Sequence, residues 1–487
     1  MAKKESTFLG QPAELFYLTA INMWETFSYF GTRALLILYF TRELAMGQQQ
    51  ALGHYAAFTA LVFATTIFGG MIGDRFFTKL ETIAIGCGLV LLGHLGLAAE
   101  DWSSQLYGRS DISAQIMFLS LALLATGVGV MKPSVFTSVG LLYKDQEAQR
   151  ESGFLIFYWG VGLSAPVAIL GCGYLASRFG YHVGFGFAGL GMLVGMIILA
   201  FTYSRLAHRL RDSAAQPRTA GERAGGVAAI AILTLAAWLG IWQVAGVGAV
   251  LSLLVLGSVA YILYYGLRHL QQGERAALFA VIPITLAGML FHVLLEQTGG
   301  SLSLFADRHV DLSLFGLDFH ASQTQSITPM FVLVFAPLLA WLWGRMARNG
   351  KNPSAETKIS LGFLVMGAAF LILLLSHATA SDEPISLWLL LLSYLLIAVA
   401  ELMVVPIGSA RVTKLAPPQI SGVVFGFWVI GLSCGNYLAA WGAGLAVSPD
   451  SEDGVNFLLL LGVLTGLALI SGLLLLTGRR PLARIAG

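Results

Sequence analysis

Apolar runs long enough to cross a bilayer, which takes about 20 residues of helix, alternate with short polar gaps along nearly the whole chain. They fall near 13–40, 50–73, 81–99, 114–140, 152–177, 182–203, 227–245, 247–267, 276–299, 323–346, 357–377, 385–410, 420–446 and 455–477. The pattern predicts fourteen transmembrane helices and an all-α membrane protein. An even number puts both termini on one side, and loop charge identifies that side, because cytoplasmic loops collect Lys and Arg. With both termini cytoplasmic, 22 of the 28 Lys and Arg lie in cytoplasmic segments, and only Arg42, Arg109, Arg178 and Arg308 face outward.

The longest polar gap, 204–226, is rich in Arg, Ala and Gly and reads as a flexible cytoplasmic linker. It divides the chain unevenly, with six spans before it and eight after. The expected organisation is an N-terminal six-helix bundle at 1–204, a linker at 205–226, an accessory helix pair at 227–270 and a C-terminal six-helix bundle at 271–487. The pair is singled out because it is nearly free of charge, as suits a lipid-facing hairpin. Pro133, Pro166, Pro329, Pro337 and Pro406 fall within spans, where such breaks let half-helices bend.

Against this background, ionisable residues inside spans stand out, because charge in the bilayer is costly. Asn22, Glu25, Tyr29 and Arg33 follow at steps of three, four and four and so share one helical stripe, which must face partners or water. Lys132, Glu296 and Glu401 repeat the anomaly in other spans, and His292 lies one turn before Glu296. Desolvation favours a protonated carboxylate and a nearby cation opposes it, so a Glu296 released by Lys132 would take up a proton, with His292 as a relay. The alternative is static neutralisation, with Arg33 and Lys132 merely pairing with Glu25 and Glu296. The first reading describes a polytopic carrier whose solute path these groups line.

Composition narrows the classes further. The chain is 57% hydrophobic and 11% charged with mean hydropathy +0.77, against about 25% charged in soluble domains. A formal charge of +2 without a long basic run gives no reason to expect a nucleic-acid partner. Cys87, Cys172 and Cys434 are scattered through apolar spans with neither a disulfide framework nor metal-ligand spacing, so no metal or cofactor is expected. The opening MAKKESTF leads into a helix too long for a signal-peptide core, so no removed presequence is expected. GLSCG at 431–435 spells a nucleophile elbow, but that motif needs a strand turning into a helix and here lies within a span, which argues against an enzyme.

After the second span comes GGMIGDRFFTKLET, 69–82, which resembles the Gly-x-x-x-Asp-Arg loop of the major facilitator superfamily. GVGVMKPS around Lys132, FYWGVGLS at 157–164, LLEQ around Glu296, the run from Ile327, ELMVVPIG from Glu401, TKLAP from Thr413 and FGFWVI around Trp428 narrow the resemblance. Together with the extra helix pair, they resemble the bacterial proton-coupled oligopeptide transporters over nearly the whole chain. That family's first-span motif, Glu-x-x-Glu-Arg-Phe-x-Tyr-Tyr, is altered: Asn22, Thr26 and Phe30 stand at its first Glu, its Arg and its second Tyr. Phe63 takes a Tyr, Gly162 and Thr328 each an Asn, His292 a Trp and Val405 a small polar residue.

The resemblance implies a major facilitator fold of two six-helix bundles plus the extra pair. It implies a secondary transporter working by alternating access, importing di- or tripeptides or a related small carboxylate-bearing solute with protons. Substrate contacts are expected at Tyr29, Arg33, Phe63, Lys132, Gly162, His292, Thr328, Glu401 and Trp428, and proton coupling at Glu296, Glu25 and His292. The partners expected are solute, protons and lipid, for a monomer in a bacterial inner membrane. A carrier for a non-peptide solute with altered or lost coupling, or a non-transporting solute sensor, is the alternative.

Overall fold

The computed structural model describes residues 7–8, 11–107, 111–143, 147–210, 219–314, 316–351, 353–380, 383–417, 420–444 and 456–486. Among them are fourteen helices of 22 residues or more: α1 (Ala13–Leu38), α2 (Gln48–Phe76), α3 (Lys79–Tyr107), α4 (Asp111–Leu142), α5 (Glu147–Phe179), α6 (Tyr181–Arg209), α7 (Ala220–Gln243), α8 (Ala245–His269), α9 (Gln272–Leu295), and, after a short α10 (Ser301–His309), α11 (Ile327–Arg348), α12 (Ala355–Thr379), α13 (Leu387–Leu415), α14 (Ser421–Gly444) and α15 (Phe457–Ala486). Twelve spans among the described residues are long and apolar enough to cross a membrane. α1 is not among the twelve, consistent with its polar stripe lowering its hydropathy.

The chain forms two compact units. The first comprises 1–36 and 61–244, the second 37–60 and 245–487. In the first, α3 packs along α4, and small residues set the approach: a Cβ on Gly86 would come within 2.7 Å of the Gly127 carbonyl oxygen. In the second, α12 packs on α13 and α15, and α14 on α9. The indole of Trp428 is wedged there between Gly288 and Gly408, whose added Cβ atoms would come within 2.4 and 2.6 Å of it.

The accessory pair is shared out between the units. α7 packs on α4 and, through Gly226, on Phe77, whereas α8 packs on α14 and α9. The division falls after Val244, a β-branched residue held at φ 56. Both helices expose large apolar side chains, including Leu235 and Trp242 on α7 and Leu253 and Leu256 on α8, as lipid-facing helices do.

The linker expected at 204–226 is shorter than its composition indicates. α6 runs on to Arg209, and α7 starts at Ala220 because Thr219 and Glu222 make a reciprocal capping box; Ser213 lies outside the described residues. The prolines at 133, 166, 337 and 406 are accommodated inside continuous helices. The ninth span, by contrast, breaks at Glu296.

Candidate functional site

The first unit's contribution is built on α1. Its 26 residues are an unbroken helix, and the expected stripe is real: Asn22, Glu25, Tyr29 and Arg33 are each less than 9% exposed. Thr26, Ser28 and Thr32 are buried too. Glu25 is fully buried, and its Oε1 lies 3.3 Å from Lys132 Nζ on α4. Thr26 donates to its other oxygen at 3.3 Å. Lys132, expected opposite Glu296, is therefore paired with Glu25 in this structure. The physical reason is proximity: α1 and α4 belong to one unit, and a carboxylate with no solvent access needs a cation there.

The rest of the stripe divides by chemistry. The Arg33 guanidinium lies 5.7 Å from the Phe30 ring centroid, a cation–π contact, and Tyr29 meets Phe30 edge to face. On a neighbouring face, Ser28 and Thr32 hydrogen-bond the two ring nitrogens of His94 on α3, which pins the rotation of α1. Asn22 is the exception: fully buried, with neither amide atom hydrogen-bonded among the described residues. Phe63 and Gly162 are half-buried on α2 and α5.

In the second unit the feature is a broken helix. α9 stops at Leu295, Glu296–Thr298 make a 3-10 turn, and α10 begins at Ser301 after Gly299 and Gly300. Backbone groups released in a membrane must find other partners, and three side chains supply them. Gln297 Nε2 donates to the carbonyls of Val293 and Ala439, both at 3.0 Å. Gln325 Nε2 donates to the Gly299 carbonyl at 3.4 Å and to Ser303 Oγ at 3.1 Å, and Ser303 Oγ to the Thr298 carbonyl at 3.0 Å. The break thus presents Glu296, 8% exposed, at a helix end, one turn from an equally buried His292.

Thr328 is buried near the start of α11, and Glu401 is half-buried on α13. Trp428 lies with Ile284, Val412 and Phe427 in an apolar cluster of α9, α13 and α14. Sequence reasoning missed Gln297, Gln325 and Ser303, which hold the break. Its signal was present in Thr298-Gly299-Gly300, two residues after Glu296, a run of helix breakers at the end of the apolar span. Among the described residues, no group of three or more His, Cys, Asp or Glu converges on a metal position.

Two helical units with charges buried inside their spans and a broken helix define a multi-pass membrane carrier of the major facilitator fold. Residues 80–456 match the model of the POT family, and the chain belongs to that family. It is 31% identical to the "Uncharacterized transporter YclF" of Bacillus subtilis over 90% of this chain and 89% of that one. It is 30% identical to the "Peptide transporter YePEPT" of Yersinia enterocolitica over 92% and 90%, and 28% identical to a "Di-/tripeptide transporter" of Lactococcus lactis over 100% and 98%. Solved structures of a peptide transporter POT, one a mutant in complex with alafosfalin and one with sulfate, superpose with TM-scores of 0.83 and 0.82 at 27% and 28% identity. Each covers 99% of this chain, which spans 97% and 98% of theirs. The protein is a transporter rather than an enzyme, and GLSCG lies inside the continuous helix α14.

Proposed function

We propose that the protein imports di- or tripeptides, or a related small carboxylate-bearing solute, by proton-coupled alternating access, as a monomer in a bacterial inner membrane with both termini cytoplasmic. The observation that carries this reading is the buried Glu25–Lys132 pair: a lysine 29% exposed, held by a fully buried carboxylate. Its ammonium can exchange that carboxylate for a substrate's, and Arg33 adds a second cation on the stripe. Glu401, with Thr328, is the acceptor for the substrate ammonium. Tyr29, Phe63 and Gly162 in the first unit, and His292 and Trp428 in the second, are the further substrate contacts of this reading.

Coupling is assigned to Glu296 with His292, and to Glu25 through its exchange with Lys132. Asn22 carries no titratable proton where the family carries Glu, and this favours a second reading with altered coupling. Uptake of labelled dialanine into proteoliposomes under an imposed pH gradient separates the two. Wild type should accumulate solute, and Glu296→Gln should lose accumulation while keeping counterflow. Wild-type flux that ignores the gradient rejects proton coupling, and accumulation by Glu296→Gln rejects Glu296 as its carrier. For orientation, a cysteine at Ser213 should resist a membrane-impermeant label applied to intact cells.

A further inference from the structure

Lys132 sits beside a weak point in its own helix. Pro133 has no N–H, so α4 gives up the helical bond to the Gly129 carbonyl, and the segment 129–133 depends on its neighbours. On α2, the backbone of Gly69 lies against that carbonyl, where a Cβ would meet the Gly129 oxygen at 2.4 Å. Thr65 Oγ1, also on α2, donates to the Ala125 carbonyl at 2.9 Å. Val130, within the segment, packs with Phe77, from the turn between α2 and α3, and with Ile230 of α7 in one buried cluster.

α7 is fastened to that turn twice. Glu81 closes the start of α3 with a capping box: its Oε2 accepts the Thr78 N–H at 2.9 Å, and its own N–H donates to Thr78 Oγ1 at 3.3 Å. Its other oxygen, Oε1, takes Arg223 Nη2 of α7 at 2.7 Å. A cation in the first turn of a helix opposes the helix dipole, so Arg223 is placed for this partner rather than for its own helix. Gly226 then admits the Phe77 ring, which a Cβ would approach within 2.5 Å. One turn further, Ile230 reaches Val130 and Phe77. Arg223, Gly226 and Ile230 follow at steps of three and four, so one face of the accessory helix makes all three contacts.

We propose that this face of α7 braces α4 at its proline, so that the accessory helix positions Lys132. Arg223, Gly226 and Ile230 are then positioning residues of the transport site: they hold Phe77 on Val130, and Val130 is two residues from Lys132. The consequence for transport rests on the reading that Lys132 meets the substrate carboxylate, whereas the brace itself does not. Because the brace acts on one charged contact, loosening it penalises a substrate with a free carboxylate and spares its ester. A helix kept only for contact with lipid would not discriminate between the two.

Hydrogen exchange of the full-length protein in detergent, read on peptides covering 128–138, reports the brace, and the affinities for dialanine and its methyl ester report the positioning. Ile230→Ala should speed exchange in that segment about tenfold. It should weaken dialanine about fivefold while moving the ester by less than about twofold. Arg223→Gln should act in the same direction, and Arg223→Lys should restore wild-type behaviour. Ile241→Ala, the same deletion at a fully buried position near the far end of α7, should change neither readout. Ile230→Val serves where the alanine variant fails to fold. Exchange over 128–138 that Ile230→Ala leaves unchanged, or that Ile241→Ala moves equally, overturns the brace. Faster exchange with an unchanged preference for acid over ester overturns the positioning, provided Lys132→Ala does alter that preference. If Lys132→Ala leaves it unaltered too, the carboxylate reading has failed, and the brace is decided by exchange alone.

Discussion

α1 and the α9–α10 span both carry charge into the membrane, and they accommodate it in opposite ways. α1 stays helical for 26 residues, so its polar side chains must find partners on other helices: Glu25 on Lys132, Ser28 and Thr32 on His94. The α9–α10 span gives up helical hydrogen bonds at Glu296 and recovers them through Gln297, Gln325 and Ser303. The first arrangement ties α1 to its neighbours. The second stores a bending point beside a carboxylate, because side-chain hydrogen bonds re-form in a new geometry more readily than a helical ladder does. One span is thus a continuous frame and the other an interrupted one.

The largest way to break this contrast is to orphan a charge in the frame. Lys132→Ala leaves Glu25 buried without its cation, and removing one partner of a buried pair costs about 3–5 kcal/mol, the lower end applying because Lys132 is partly solvated. Thermal unfolding should fall steeply for Lys132→Ala and recover in the double variant Glu25→Gln/Lys132→Met. Simple additivity of the two substitutions would mean that the pair is not an energetic unit.

Overpacking probes the second unit. Gly288→Ala places a Cβ within 2.4 Å of the Trp428 ring, and crowding of that kind in a packed interior costs about 1–3 kcal/mol. Trp428→Leu in the same background should recover part of the loss. If Gly288→Ala is neutral, the indole has room to move and is a wall of the solute path rather than a wedge.

Asn22 sharpens the comparison with the opposite sign. Leaving a buried polar group unsatisfied costs about 1–3 kcal/mol, so Asn22→Leu, which is close in size, should raise stability by about 1 kcal/mol. If uptake falls while stability rises, the amide is kept for transport. If both rise, the residue is a remnant of the family's altered motif.

Much of this was legible in the chain. Periodicity located the spans, and costly charges located Glu25, Arg33, Lys132 and Glu296, because few residues can sit in a bilayer without a reason. The pairing was not legible: Lys132 could be placed on its span but not assigned to Glu25 rather than Glu296, since partner choice depends on which helices pack together. The second helical piece, α10, was not legible, because the ninth span is expected to end at 299 and the polar sequence after Gly300 lacks the length and hydropathy of a span, while the prolines, which suggest breaks, sit inside intact helices.

The smallest expected effect lies in the second unit where Arg42 pairs with Asp307 and reaches His320 Nε2 at 3.4 Å. Arg42 is 46% exposed, so the pair contributes less than about 1 kcal/mol. His320 contributes through pH instead. Its Nδ1 contacts Ser322 Oγ at 2.8 Å and lies 3.4 Å from the Ser322 N–H, capping the turn at Ala321–Ser326, and its Nε2 faces the Arg42 guanidinium. The cap uses Nδ1 as the acceptor of the Ser322 N–H, which requires Nδ1 to lack a proton, so the imidazolium cannot serve it. Burial, then the Arg42 charge, lowers the His320 pKa below 6.5, with Asp307 opposing. The unfolded state then binds more protons than the folded one below pH 6.5, so this contribution is present above that pH and is lost as pH falls. Amide exchange at Ser322 and Gln323 should accelerate, after correction for intrinsic rates, as pH drops from 7 to about 5, and His320→Asn, which caps without titrating, should flatten the response. A response that persists in His320→Asn would show that His320 is not the source of the pH sensitivity.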